Sequence, residues 1–175
     1  MISARTPKPP IAADMIVLDN VVGYMTKIII VYHSQTGHTQ QMAEAVAEGA
    51  RGIENTEVML KKVSDATLDD LLACNGLSVG TPENFGYMSG MIKDFFDRTY
   101  NAAQDKVFRK PYVVFISAGN DGSGALRAIE RIVLGYKLKK VFTPVIAKGK
   151  ITEEILDQCR DLGGTLAGGC AIGIY

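Results

Sequence analysis

The stretch Lys27-Ile28-Ile29-Ile30-Val31-Tyr32-His33-Ser34-Gln35-Thr36-Gly37-His38-Thr39 decides the fold. Its first half is an unbroken, largely β-branched run, the pattern of a parallel strand buried on both faces. Its second half is a turn of hydroxyls around Gly37 that opens at once into a helical pattern. Over residues 39–51, Met42, Ala43, Val46 and Ala50 share one face, with Gln41, Glu44, Glu48 and Arg51 opposite. A strand apolar on all sides, a tight polar loop and an amphipathic helix are the opening of a parallel sheet covered by helices.

The alternation continues to the C-terminus. Residues 57–63 read as a second, more polar strand, 68–73 as a short helix and 77–80 as the end of a short third strand. A strong helix over 88–100 carries Met91, Ile92, Phe95, Phe96 and Thr99 at helical spacing, with Met91 expected in the core. Residues 112–117 are the fourth strand, 125–134 a helix and 141–147 the fifth strand. Thr152 caps a last helix with the stripe Ile155, Cys159, Leu162 and Leu166. Gly163, Gly164, Gly168 and Gly169 should weaken that helix near its end.

Five strands joined by crossover helices imply one three-layer, doubly wound α/β domain. The polarities favour the strand order 2-1-3-4-5. That order puts the charged second strand at one edge. It puts the fifth, with Pro144 lacking an N–H, at the other. Residues 25–175 form this domain. Residues 1–24, with three prolines in the first thirteen positions, read as an N-terminal appendage. Met15 to Tyr24 could lie extended, and Met25 would be a cleaner start.

Composition narrows the function classes. The 175 residues suit one domain, and 47% of them are hydrophobic, enough for a sizeable core. Nineteen basic and nineteen acidic side chains cancel, which argues against a nucleic-acid partner. No apolar run reaches the length of a membrane span. Cys74, Cys159 and Cys170 are an odd number without a CxxC pair, as expected in a reducing, cytoplasmic setting. No cluster has metal-ligand spacing.

In an open parallel sheet, ligands bind beyond the carboxyl ends of the strands, near the switch in strand order. Three unusual loops lie there: residues 34–39, 81–86 and 117–124. In the first, hydroxyls and the free N–H groups of a helical first turn can ring a phosphate, and Gly37 lets the backbone approach closely. In the third, Gly119, Gly122 and Gly124 with Asn120 and Asp121 make a flexible turn whose amides can reach a flat ligand's edge. Ordinary turn and capping chemistry is the alternative reading of the first and third loops, and at the first the anion site is favoured over it. Walker, dinucleotide-fold, phosphatase and receiver signatures are all absent.

The first loop resembles the FMN phosphate loop of flavodoxins. Gly80-Thr81-Pro82, then Phe85-Gly86-Tyr87-Met88, Lys93 and Phe96-Asp97-Arg98-Thr99, resemble the flavin loop and following helix of WrbA-type quinone reductases. The likeness runs from about Lys27 to the C-terminus and implies the flavodoxin-like fold. It also implies that Ser34, Gln35, Thr36, Gly37, His38 and Thr39 hold the FMN phosphate. Thr81, Pro82, Glu83, Asn84, Phe85 and Gly86 would line the isoalloxazine, and Ser117, Ala118, Gly119, Asn120 and Gly122 would approach its pyrimidine edge.

The chain departs from both groups. It has no Trp, no aromatic residue in the third loop, and neither the acidic surface of electron-carrier flavodoxins nor the third-loop His of WrbA-type enzymes. The implied function is an FMN-dependent oxidoreductase passing electrons from NAD(P)H to a quinone or similar small acceptor, in which no side chain need act as acid or base. The family also suggests a homodimer. The alternatives are an electron carrier serving a protein partner, and a module that has lost FMN and acts through protein contacts.

Overall fold

The computed structural model describes residues 15–18 and 21–175. Met15–Leu18 (β1) and Val21–Tyr24 (β2) pair antiparallel as a separate two-stranded sheet, so this part of the appendage is extended as a hairpin. The remainder of residues 1–24 lies outside the described residues.

The main sheet is built from Thr26–Tyr32 (β3), Thr56–Lys62 (β4), Gly76–Asn84 (β5), Pro111–Ala118 (β7) and the pair Lys139–Lys140 (β8) and Val145–Lys148 (β9). Its order is β4-β3-β5-β7, with β8 and β9 both along the free side of β7, all parallel. In terms of the five expected strands this is 2-1-3-4-5. The fifth strand is broken rather than continuous. Residues 142–144 leave the ladder at Pro144, which has no N–H to donate.

Strand β3 shows why a run without polar alternation was needed. Ile29 and Val31 enter the layer beneath Leu68–Ala73 (α2), Gly90–Ala103 (α3) and Ser123–Gly135 (α4). Ile28, Ile30 and Tyr32 enter the opposite layer, beneath His38–Arg51 (α1) and Glu153–Ala171 (α5). Helix α3 starts two residues later than the pattern suggests, because Ser89 caps it by accepting from the Ile92 N–H. Met91 consequently falls in its first turn and is 41% exposed, not core, whereas Met88 is buried.

The glycines of α5 do not shorten it, since the helix runs to Ala171. They let it approach its neighbours. A Cβ at Gly163 would run into the Val46 carbonyl, one at Gly49 into the Arg160 carbonyl, and one at Gly169 into the Tyr175 ring.

The third strand is the largest departure. It runs nine residues and turns back at Phe85-Gly86 into Tyr87–Met88 (β6). The second loop is therefore a hairpin, with Phe85 at φ 52° and Gly86 at φ 71° in the left-handed region.

Candidate functional site

The carboxyl ends of β3, β5, β7 and β9 surround a cleft of about 350 Å3. The first loop contributes Gln35, Thr36, His38 and Thr39, and the second contributes Pro82, Glu83 and Asn84. The third contributes Ser117, Ala118 and Gly119. Residues from all three loops thus share one wall-to-wall site.

Gly37 at φ 88° turns the chain into α1, and its amide donates to Ser34 Oγ at 3.1 Å. Ser34 and Gly37 act behind the cleft by shaping this turn. No side chain caps α1, and the N–H groups of His38, Thr39 and Gln40 make no hydrogen bond among the described residues. Three free amides converging at the positive end of a fourteen-residue helix suit a phosphate. The Thr36 side chain is exposed, but the Thr39 hydroxyl is buried and bonded to Ser117 Oγ at 2.8 Å. Thr39 therefore ties the first loop to the third, and its amide is what it leaves free.

In the second loop, Thr81 is fully buried. Its hydroxyl donates to the Pro82 carbonyl and accepts from the Ser89 amide, so it holds the hairpin rather than facing the cleft. The Glu83 carboxylate spans to the third loop. It accepts from the Gly122, Gly124 and Ala125 amides at 3.2, 3.0 and 3.2 Å. An anionic side chain of this chain thus caps α4, whose N-cap Gly122 has none to offer. The Gly122 amide, expected to meet the flavin, is held by Glu83. The amides of Gly119 and Asn120 have no partner among the described residues.

Phe85 stands fully exposed at the hairpin tip and does not line the cleft. Gly86 also lies outside it, against α4, where a Cβ at Gly124 would strike the Gly86 carbonyl.

Two residues that the sequence reading passed over complete the cleft: Gly149 and Lys150, beyond β9. The rule that selected the ends of strands one, three and four applies equally to strand five, and would have found them. Lys150 supplies a cation that the first loop lacks. His33, expected to be a packed strand-end residue, is half-buried. Its Nδ1 has no partner in the described structure, and burial lowers its pKa.

The residues present fit FMN: free amides and a lysine at one end, small and polar loop residues at the other. No helix among the described residues is long and apolar enough to cross a membrane.

Comparison with known proteins agrees. The flavodoxin sequence model matches residues 30–163. A flavodoxin from Aquifex aeolicus is 37% identical over 164 residues, covering 85% of this chain and 89% of that protein. An NAD(P)H dehydrogenase (quinone) from Acidithiobacillus ferrooxidans is 35% identical over 121 residues, 57% of this chain and 60% of its own length. Among solved structures, an archaeal flavodoxin superposes with a TM-score of 0.75 at 27% identity, over 83% of this chain and 99% of that one. A WrbA-like flavodoxin from Agrobacterium tumefaciens gives 0.70 at 26%, over 83% and 97%. The chain belongs to the flavodoxin family, whose cofactor is FMN.

Proposed function

We propose that this protein is a cytoplasmic oxidoreductase that takes electrons from NAD(P)H and delivers them to a quinone or a similar small acceptor. FMN, when bound, supplies the redox chemistry. The amides of His38, Thr39 and Gln40, with Thr36 and Lys150, would hold its phosphate. The hairpin at Pro82–Asn84 and the amides of Gly119 and Asn120 would orient the ring.

One observation carries the enzymatic reading. The third loop offers only small residues to the cleft, and beyond the Cα of Gly119 there is open space with no heavy atom within 4 Å of where a Cβ would stand. A ring bound there would keep one face accessible to a nicotinamide or a flat acceptor. The likeness to a quinone dehydrogenase supports the same reading.

The stronger likeness to a flavodoxin favours the second reading, an electron carrier to a protein partner. Stopped-flow mixing of the FMN-loaded protein with NADH or NADPH separates the two. Bleaching of the visible flavin band followed by reoxidation with a quinone supports the enzyme. Reduction only by a reductase protein overturns it.

A further inference from the structure

A second groove lies apart from the flavin cleft. It measures about 770 Å3, lies between α3 and α4, and begins at Gly86 and Tyr87 of the flavin hairpin. Gly124, Ala128 and Gly135 keep the α4 wall low and make its depth. Tyr87 and Tyr100 present rings along it, and Lys93, Arg127 and Arg131 bring three cations.

The charges are not balanced from within. Asp97 is the groove's one carboxylate, and Lys93 Nζ holds it at 2.6 Å. Arg127 and Arg131 sit one helical turn apart, both exposed. Neither makes a hydrogen bond or a close ion pair among the described residues. The one carboxylate there that shares a charge interaction with either is the exposed Asp121, held ionised chiefly by the Ser123 amide and in smaller part by Arg127. Two unpaired guanidinium forks on one helical face match phosphate oxygens in geometry as well as charge. The volume falls in the range of small-ligand sites rather than of a flat protein interface.

We propose that the α3–α4 groove binds the phosphorylated adenylyl end of NADPH. Arg127 and Arg131 hold its 2′-phosphate, and a tyrosine ring stacks on the adenine. The nicotinamide end then passes the Phe85-Gly86 turn towards the flavin cleft, which the same hairpin lines at Pro82, Glu83 and Asn84. This assignment rests on the oxidoreductase reading above and makes the enzyme NADPH-selective.

The test uses the FMN-loaded protein and two non-reducing probes, adenosine 2′,5′-bisphosphate and 5′-AMP, in low-salt calorimetry. The bisphosphate is expected to bind at least roughly tenfold tighter than 5′-AMP. The double variant Arg127→Gln, Arg131→Gln should abolish that difference and raise the KM for NADPH by a similar factor. Lys106→Gln, an equal charge change per site on the exposed end beyond α3, should leave both intact.

Equal binding of the two probes overturns the proposal. So does a loss of bisphosphate affinity in Lys106→Gln as large as in the arginine variants. Arginine variants that change only dimerisation in sedimentation, or only reduction by an acidic carrier protein, also overturn it and assign the groove to a second copy or to a protein. If arginine-dependent bisphosphate binding persists while NADPH never reduces the flavin, the nucleotide site stands and the oxidoreductase reading falls.

Discussion

Replacing Glu83 with alanine should loosen the third loop without touching the core. The carboxylate accepts three amides at 3.0 to 3.2 Å, from Gly122, Gly124 and Ala125. Summing three charge-assisted bonds at about 1.5–3 kcal/mol each would overstate the loss, because Glu83 is only partly buried and water can reach the freed amides. An anion at a partly buried helix N-terminus contributes up to about 2 kcal/mol, and loss of a cap costs about 0.5–2 kcal/mol. A value near 2 kcal/mol follows for Glu83→Ala. Glu83→Gln keeps one acceptor oxygen but turns an amide N–H towards the Gly122 N–H, so about 1 kcal/mol is expected. For a chain of this length that means a melting point lower by about 4–8 °C for alanine and roughly half of that for glutamine. Urea unfolding of the FMN-free protein, followed by circular dichroism, measures the change without interference from ligand linkage. If Glu83→Ala unfolds at the parent midpoint, or if glutamine costs more than alanine, the carboxylate does not hold α4 as described.

The remaining expectations concern other parts of the molecule. Thr36→Ala should weaken FMN binding by tenfold or more in a fluorescence titration, at about 1.5–3 kcal/mol for the lost bond to a charged group. Because the Thr39 hydroxyl is bonded to Ser117, Thr39→Ala should melt lower without FMN, and unchanged FMN affinity in Thr36→Ala would refute the Thr36 contact with the phosphate. A chain beginning at Met25 should bind FMN and melt cooperatively; loss of either shows that the β1–β2 hairpin belongs to the domain. Gly163→Ala should lower stability by about 1–3 kcal/mol, despite alanine's better helix propensity, because the new methyl meets the Val46 carbonyl; an unchanged melting point would contradict that close approach. Burial pushes the Tyr112 and Tyr136 hydroxyls up to about 12. Their unfolded forms ionise near pH 10, so the stability they confer is whole below pH 10 and lost between about 10 and 12, at about 1.4 kcal/mol per pH unit for each ring. Tyr136→Phe should flatten this alkaline decline in urea midpoints, and an equally steep decline would refute it.

The fold was legible because burial on two faces leaves a mark that no alternating strand shares, as residues 28–31 do. Edge strands were legible for the complementary reason: β4 keeps charged positions, and Pro144 could stand only where a ladder was free to break. The hairpin at Phe85-Gly86 was not, since its two strands carry no apolar alternation and a left-handed Phe has no local signature. The α5 glycines misled because helix propensity is a local quantity, whereas their reason lies in the backbone of α1. At the site, the loops could be read from turn chemistry, and ten of their residues meet in one cleft. The Thr39–Ser117 and Glu83–α4 bonds span 78 and 39 to 42 positions, beyond what neighbouring residues can encode.

The contact of α1 with α5 has a consequence for synthesis. The face of the sheet formed by Ile28, Ile30, Val113 and Phe115 is closed by Cys159, Leu162 and Leu166 of the last helix. As the chain leaves the ribosome, the α2–α3–α4 side can be covered early, but the other side stays half bare until residues near 166 emerge. Translation at roughly 5–20 residues per second makes that interval one of seconds, during which an apolar sheet face is open to chaperones or to other nascent chains. A premature stop before α5 would leave this face permanently uncovered, and such a product should partition into aggregates rather than persist as a shortened flavoprotein.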